Sequence, residues 1–255
     1  MSELSYRLDR TIDIQAPVAL VFEMLTTTEH WARWWGSGSH IDPRPGGAVL
    51  IRYPNGVEVT GEVLDVEPNR RLAFTYGFVS GEPIPPGASR VEITLEAAPG
   101  GTRLALRHDF DQASVRDQHA AGWRFQLSLF ANVVADHLHG DAAARADAWF
   151  AAWAQPDEAE RRRQLEQIAS PAVHFRDRYA SIAGLEDLLD HIAAVHRFMP
   201  GVVLARQGEA RHCQGTALVD WTASADGAAR GTGANVFRFA PDGRIASVTG
   251  FWHAG

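Results

Sequence analysis

His108 sits in the run Thr102–Phe110, where Leu104, Leu106, His108 and Phe110 share one face and Arg103, Arg107 and Asp109 lie opposite. An imidazole among apolar neighbours could hold the polar end of a guest or move a proton near neutral pH. The same pattern fits a core histidine with a backbone partner. Tyr76 and Phe78 share a strand face, and Trp31, Trp34 and Trp35 cluster beside Gly36–Ser37–Gly38. Trp123 and Phe130 fall on one helical stripe. Such rings could frame a pocket or fill a core. Trp35, Tyr76, Phe78, His108, Trp123 and Phe130 are the candidate ligand-binding residues of the first half.

In the second half Asp220 interrupts the apolar run Ala217–Trp221. On a strand, Leu218, Asp220 and Thr222 share one face, and Ala217, Val219 and Trp221 the other. Inside a closed apolar space a carboxylate has a raised pKa and could abstract a proton beside a carbonyl. His191 could then polarise or protonate the enolate. Asp220 and His191 are the candidate catalytic pair, working without metal or organic cofactor. The alternative is that Asp220 faces solvent. His174, Asp177 and Tyr179 are the other titratable candidates, and His174, Tyr179 and Trp221 are candidate ligand-binding residues of the second half.

Other chemistries find no footing. His137 and His139 are two apart and diverge on a helix; His191 and His196 are five apart, not the four that puts two ligands on one face. No metal site is expected. Cys213 is the only cysteine, which excludes an internal disulfide, and it reads as an ordinary buried thiol. There is no G-x-S-x-G, phosphate-binding loop or dinucleotide fingerprint. With 24 Lys plus Arg, all of them Arg, against 31 Asp plus Glu, the net charge is −7, so nucleic acid is not an expected partner. No 18-residue apolar stretch exists and no membrane span is expected. The start MSELSYRLDR has no apolar segment of the secretory kind. A cytoplasmic location is therefore expected.

The elements that must position these residues fall into two sets, meeting near His139–Asp141. Residues 1–140 read as a strand from Tyr6 to Ile14, two short helices, strands near 48–53, 57–66, 71–79, 89–97 and 102–110, and a long amphipathic helix over 114–138. Thr28 could cap the second short helix. Residues 141–255 open with Asp141 as a candidate cap for a helix carrying Ala142, Ala146, Trp149, Phe150 and Trp153 along one face. A second helix spans Glu158–Ile168, and Val173–Arg176 could be a short strand. A helix then follows Gly184, and four strands lie near 202–212, 216–224, 230–240 and 244–253. Helices followed by an antiparallel sheet indicate an α+β domain.

These features resemble known families. "RTIDIQAP…VF..LTT.EHWARWWG", "GEVLDVEPNRRLAFTY" and "HAAGWRFQLSLFANVV" are similar to SRPBCC (START-like) proteins, nearest to bacterial homologues of the heat-shock-protein-90 ATPase activator. The resemblance covers nearly all of residues 6–139. It implies a helix-grip fold: an antiparallel sheet around a long C-terminal helix, often with a ligand cavity between them. "WFAAWAQPD..ERRRQLEQIASPAVHFRDRYASIAGLEDLLDHIAAVH" and "FRFAPDGRIASVTGFW" resemble SnoaL-like proteins of the nuclear-transport-factor-2-like superfamily, over about 142–253. That resemblance implies helices closing over a curved sheet as an α+β cone. It also implies a pocket residue at Asn235, where many relatives carry an Asp; an amide cannot serve as a base.

The expected function is binding of a small apolar or amphipathic molecule in the domain cavities. The alternatives are cofactor-independent cyclase, isomerase or dehydratase chemistry in residues 142–253, and a chaperone-ATPase-activator-like protein interaction. A homodimer through the SnoaL-like sheet is also expected, with Val219, Trp221, Phe237 and Trp252 as its apolar patch.

Overall fold

The computed structural model describes residues 4–253, and the chain divides into two compact units, Met1–Val134 and Ala135–Gly255. In the first, β1 (Tyr6–Ile14) buries Leu8 and Ile14. α1 (Val18–Thr26) starts behind Pro17 and buries Val21, Met24 and Leu25. α2 (Thr28–Trp35) carries Trp31, Trp34 and Trp35 at i, i+3 and i+4, so all three indoles turn inward together. Thr28 does not cap this helix; its hydroxyl donates to the Ile41 carbonyl at 2.9 Å. Gly36 ends α2 at φ +143°, where an added Cβ would lie 2.3 Å from the Arg52 carbonyl oxygen, so a side chain is excluded there.

β2 (His40–Ile41), β3 (Ala48–Arg52), β4 (Glu58–Glu67), β5 (Arg71–Phe78), β6 (Ser89–Ala98) and β7 (Gly101–Phe110) follow, then α3 (Ala113–His139). The sheet is antiparallel in the order β1-β7-β6-β5-β4-β3-β2. The first strand pairs with the last, from Tyr6 opposite Phe110 to Ile14 opposite Thr102. α3 contributes Trp123, Leu127 and Phe130 to the core. Most of the interior is solid: Trp31, Trp34, Phe74, Phe110 and Phe130 are fully buried. The Trp34 ring lies 5.0 Å from Trp31 and 4.8 Å from Phe130.

In the second unit α4 (Ala142–Ala154) and α5 (Glu158–Ile168) precede β8 (Ala169–Arg176), β9 (Ser181–Ala183) and α6 (Leu185–Phe198). β10 (Val203–Cys213), β11 (Thr216–Ala225), β12 (Ala228–Phe239) and β13 (Ile245–Trp252) complete it. Asp141 occupies the cap position of α4 without capping; its carboxylate pairs with Arg145 at 2.9 Å. Asp157 does cap α5, accepting the Glu160 N–H at 2.8 Å. Asp226 and Gly227, at φ 52° and 76°, turn β11 into β12 in the hand that suits a two-residue hairpin. The sheet order is β10-β11-β12-β13-β8-β9. It is mixed, not wholly antiparallel, because β8 lies parallel to β13.

Arg145 ties this unit together. Its guanidinium donates to the carbonyls of Gly243 and Leu138 and to His139 Nδ1, and lies over the Phe239 ring. His139 is buried and stacks on Phe239 at 5.0 Å. Both units are α+β, an antiparallel sheet with a long C-terminal helix followed by helices over a mixed sheet.

Two expectations about surfaces are corrected here. Val219, Trp221 and Phe237 are buried in the second unit's core and form no exposed patch, because alternation along β11 and β12 turns them to the core side. Trp252 packs against that core too. Cys213, expected to be buried, is exposed at the end of β10. Among the described residues no helix is long and apolar enough to cross a membrane.

Candidate functional site

The first unit leaves one hollow beside its aromatic core. It measures about 170 Å³ and is lined by Trp35, Tyr53, Tyr76, His119, Trp123 and Gln126, with Gly122 and Phe125 also bordering it. A hollow of roughly 150 Å³ accepts one benzene-sized guest. An open groove of about 400 Å³ adjoins it, sharing Tyr53, Tyr76, His119 and Gly122 and adding Phe78 and Pro83. The walls are rigid because their rings brace one another. Trp35 meets Tyr53 edge-on at 5.7 Å and Trp123 at 5.6 Å, and Tyr76 meets Phe78 at 5.8 Å.

The polar groups are few and placed. The Tyr53 and Tyr76 hydroxyls lie 3.2 Å apart. Their bond uses one of two O–H protons, which leaves the other for an acceptor on a guest. Burial pushes both phenols above their ordinary value, so both are neutral. His119 donates from Nδ1 to the Val115 carbonyl at 2.8 Å. Burial lowers its pKa, so the ring is neutral and Nε2 is an acceptor. The Gln126 amide nitrogen donates to the Trp34 carbonyl, which holds the carboxamide at the wall.

His108 stands behind this wall, not in it. It is fully buried, with Trp123 Nε1–H donating to its Nδ1 at 2.9 Å. Nε2 therefore carries the proton and donates to Ser89 Oγ at 2.9 Å, and Ser89 donates on to the Tyr76 carbonyl at 2.8 Å. Both ring nitrogens are satisfied by a neutral imidazole, and burial pushes the pKa well below its ordinary value. His108 fixes Trp123 and Tyr76 without touching the cavity. The core reading was correct in kind, although the partners are side chains. Phe130 is likewise core, packed on Trp34 away from the hollow.

In the second unit a recess of about 50 Å³ is lined by Trp149, Trp153, Phe175, Trp221, Asn235 and Trp252, with Asp177, Leu204 and Gly250. Trp149, Phe175 and Phe237 occupy the rest of the interior. Asn235 Oδ1 accepts the Trp221 indole N–H at 2.9 Å. Asp177 accepts the Tyr179 and Ala180 backbone N–H groups at 2.7 and 2.8 Å and the Trp252 indole N–H at 3.2 Å.

The proposed catalytic pair is not assembled. Asp220 lies on the outer face of β11, where it is 42% exposed and paired with Arg211 at 3.0 Å. His191 sits on the inner side, 5.8 Å from Trp153 and 5.9 Å from Phe175, with its pKa lowered by burial and partly restored by Asp177. Strand alternation turns Asp220 outward on β11, while His191, on α6, packs toward Trp153 and Phe175. His174 also points outward, between inward Val173 and Phe175. Tyr179 is exposed, against the edge of Trp252 at 5.7 Å. Of the candidate ligand-binding residues, the structure brings Trp35, Tyr76 and Trp123 to one hollow, with Phe78 at its groove, and Trp221 and Asn235 to the other. The reading of the residues missed Tyr53, His119, Gly122 and Gln126. His119 and Gln126 lie four before and three after Trp123 on the same helix, a spacing that would have found them. Among the described residues no three His, Cys, Asp or Glu side chains converge as metal ligands.

Comparison with known proteins finds similarity over parts of the chain. Residues 15–135 match the family model described as "Activator of Hsp90 ATPase homolog 1-like protein". Uncharacterized proteins of Mycobacterium bovis and Mycobacterium tuberculosis are 28% identical over 105 residues, which is 39% of this chain and 62% of theirs. The chain thus spans less than two thirds of the length of these curated relatives. Among solved structures, a SnoaL-like family protein from Agrobacterium tumefaciens is 23% identical, with a TM-score of 0.43 over 46% of this chain and 99% of that one. The Aha1 dimer of Colwellia psychrerythraea is 17% identical, with a TM-score of 0.41 over 48% of this chain and 90% of that one. Residues 15–135 are thus similar to Activator of Hsp90 ATPase homolog 1-like proteins, and the structures similar to the chain include a SnoaL-like family protein.

Proposed function

We propose that the protein binds a small apolar molecule, about one ring in size and bearing one polar group, in the hollow between Trp35, Tyr76 and Trp123. The observation that carries this reading is Gly122. It lies inside the 27-residue helix α3 and borders both the hollow and its groove. Glycine inside a helix costs about 1 kcal/mol relative to alanine. Nothing lies within 4 Å of the position its Cβ would take, so packing does not require it. A bare helix face at this point keeps the entrance clear. The Tyr53–Tyr76 hydroxyl pair and His119 Nε2 then recognise the polar end of the guest, while the indoles hold its ring.

Benzyl alcohol and toluene, matched in shape, test this by calorimetry. Benzyl alcohol binds more tightly than toluene. Gly122→Phe, which fills the entrance, abolishes binding of both, while Gly122→Ala retains it and raises stability by about 0.5–1 kcal/mol. Unchanged binding in Gly122→Phe would place the guest elsewhere and refute the assignment.

A further inference from the structure

We infer that the second unit holds a separate site for a planar organic anion, such as an aryl carboxylate or sulfonate, at the open end of its aromatic recess. An outer hollow of about 430 Å³ shares Asp177, Gly250 and Trp252 with the inner recess, so the two form one passage. Two guanidiniums, Arg176 and Arg178, border the outer hollow. Among the described residues neither is paired with a carboxylate; the Arg178 guanidinium lies 5.1 Å over the Tyr179 ring. Asp177, between them in sequence, already accepts three N–H groups, which stabilise its negative charge in place. Both arginines border the outer hollow and carry donors that match a carboxylate or sulfonate.

The inner part of the passage supplies the planar surface. Trp252 stands edge-on to Trp221 at 4.9 Å and is fixed by its bond to Asp177. Phe251 is 56% exposed on the outer hollow, a large ring left uncovered beside two cations. Trp153 lines the recess, and its buried indole N–H has no acceptor among the described residues. A buried donor without a partner is costly, and a polar atom at the inner end of a guest would satisfy it. Cations at the mouth, rings along the wall and a donor at the base together select an anionic, flat, amphipathic molecule.

Anilinonaphthalene sulfonate and N-phenylnaphthylamine share a ring system and differ in the sulfonate. In the full chain carrying Gly122→Phe, which closes the first unit's entrance, the sulfonate binds and gains fluorescence, and the neutral amine binds more weakly. Arg176→Gln with Arg178→Gln weakens the sulfonate roughly fivefold or more at low salt, and added salt weakens the parent similarly. Arg176→Lys with Arg178→Lys retains most of the affinity. Equal affinity for the two dyes, indifference to the double glutamine variant, or no binding in the Gly122→Phe chain would each overturn the inference. None of these outcomes bears on the first unit's hollow, which benzyl alcohol reports separately.

Discussion

The Trp123 indole N–H donates to His108 Nδ1 at 2.9 Å, and that single bond decides which tautomer the buried imidazole holds. It forces the proton onto Nε2, where Ser89 accepts it. The histidine is thus a spacer with two fixed contacts, and the wall of the hollow inherits its rigidity.

Trp123→Phe removes the donor and leaves a buried acceptor without a partner. A loss of about 1–3 kcal/mol in urea unfolding is expected. Adding His108→Phe removes the stranded acceptor and restores part of that loss, since replacing both partners by apolar rings is nearly neutral. If the double variant is no more stable than Trp123→Phe, the bond is not what holds the pair.

Acid should weaken the fold before its carboxylates titrate. Burial lowers the pKa of His108, His119 and His191, and that of His139 to about 4, where Arg145 and His212 add repulsion. The unfolded chain binds these protons near pH 6.5 and the folded chain only below its depressed values. Between those limits the unfolded state holds more protons, so stability falls as pH falls. For His139 the window runs from 6.5 to about 4, and its share is at most about 3 kcal/mol. Urea midpoints measured from pH 7.5 to 4 should decline, and His139→Phe should flatten the lower part of the curve. A flat profile over that range would contradict this.

Asp220→Asn should be almost silent. The carboxylate is exposed and its one partner, Arg211, is 62% exposed, so the change in stability stays within about 0.5 kcal/mol. Binding of the anionic dye should be unaffected as well. A large effect on either would return Asp220 to the interior and require a different register for β11.

The local pattern made most of the architecture legible. Apolar patterning together with turn residues placed β1, β3–β7 and β10–β13, and the alternation is clearest in β6 and β11, where buried positions recur every second residue. The 4, 3, 4, 4 spacing from Trp123 to Leu138 placed α3 to within a residue at each end. β2 and β9 escaped, being two and three residues long, too short to carry a period. The parallel edge of β8 escaped because strand direction is decided by a partner far along the chain.

What the sequence determined by itself was which residues share a face of an element: Trp31, Trp34 and Trp35 on one helical face, Trp221 and Asp220 on opposite faces of one strand. The fold decided which of those strand faces is inward, turning Trp221 to the core and Asp220 outward. Tertiary structure alone decided which buried face meets a hollow and which meets another side chain. His108 and Tyr76 are both buried, two strands apart with rings 5.1 Å from each other, yet only Tyr76 reaches the cavity, because Trp123 covers the imidazole. Which residues share a face follows from local periodicity, but empty space is a difference between the volumes of side chains contributed by distant elements. No single segment records that difference.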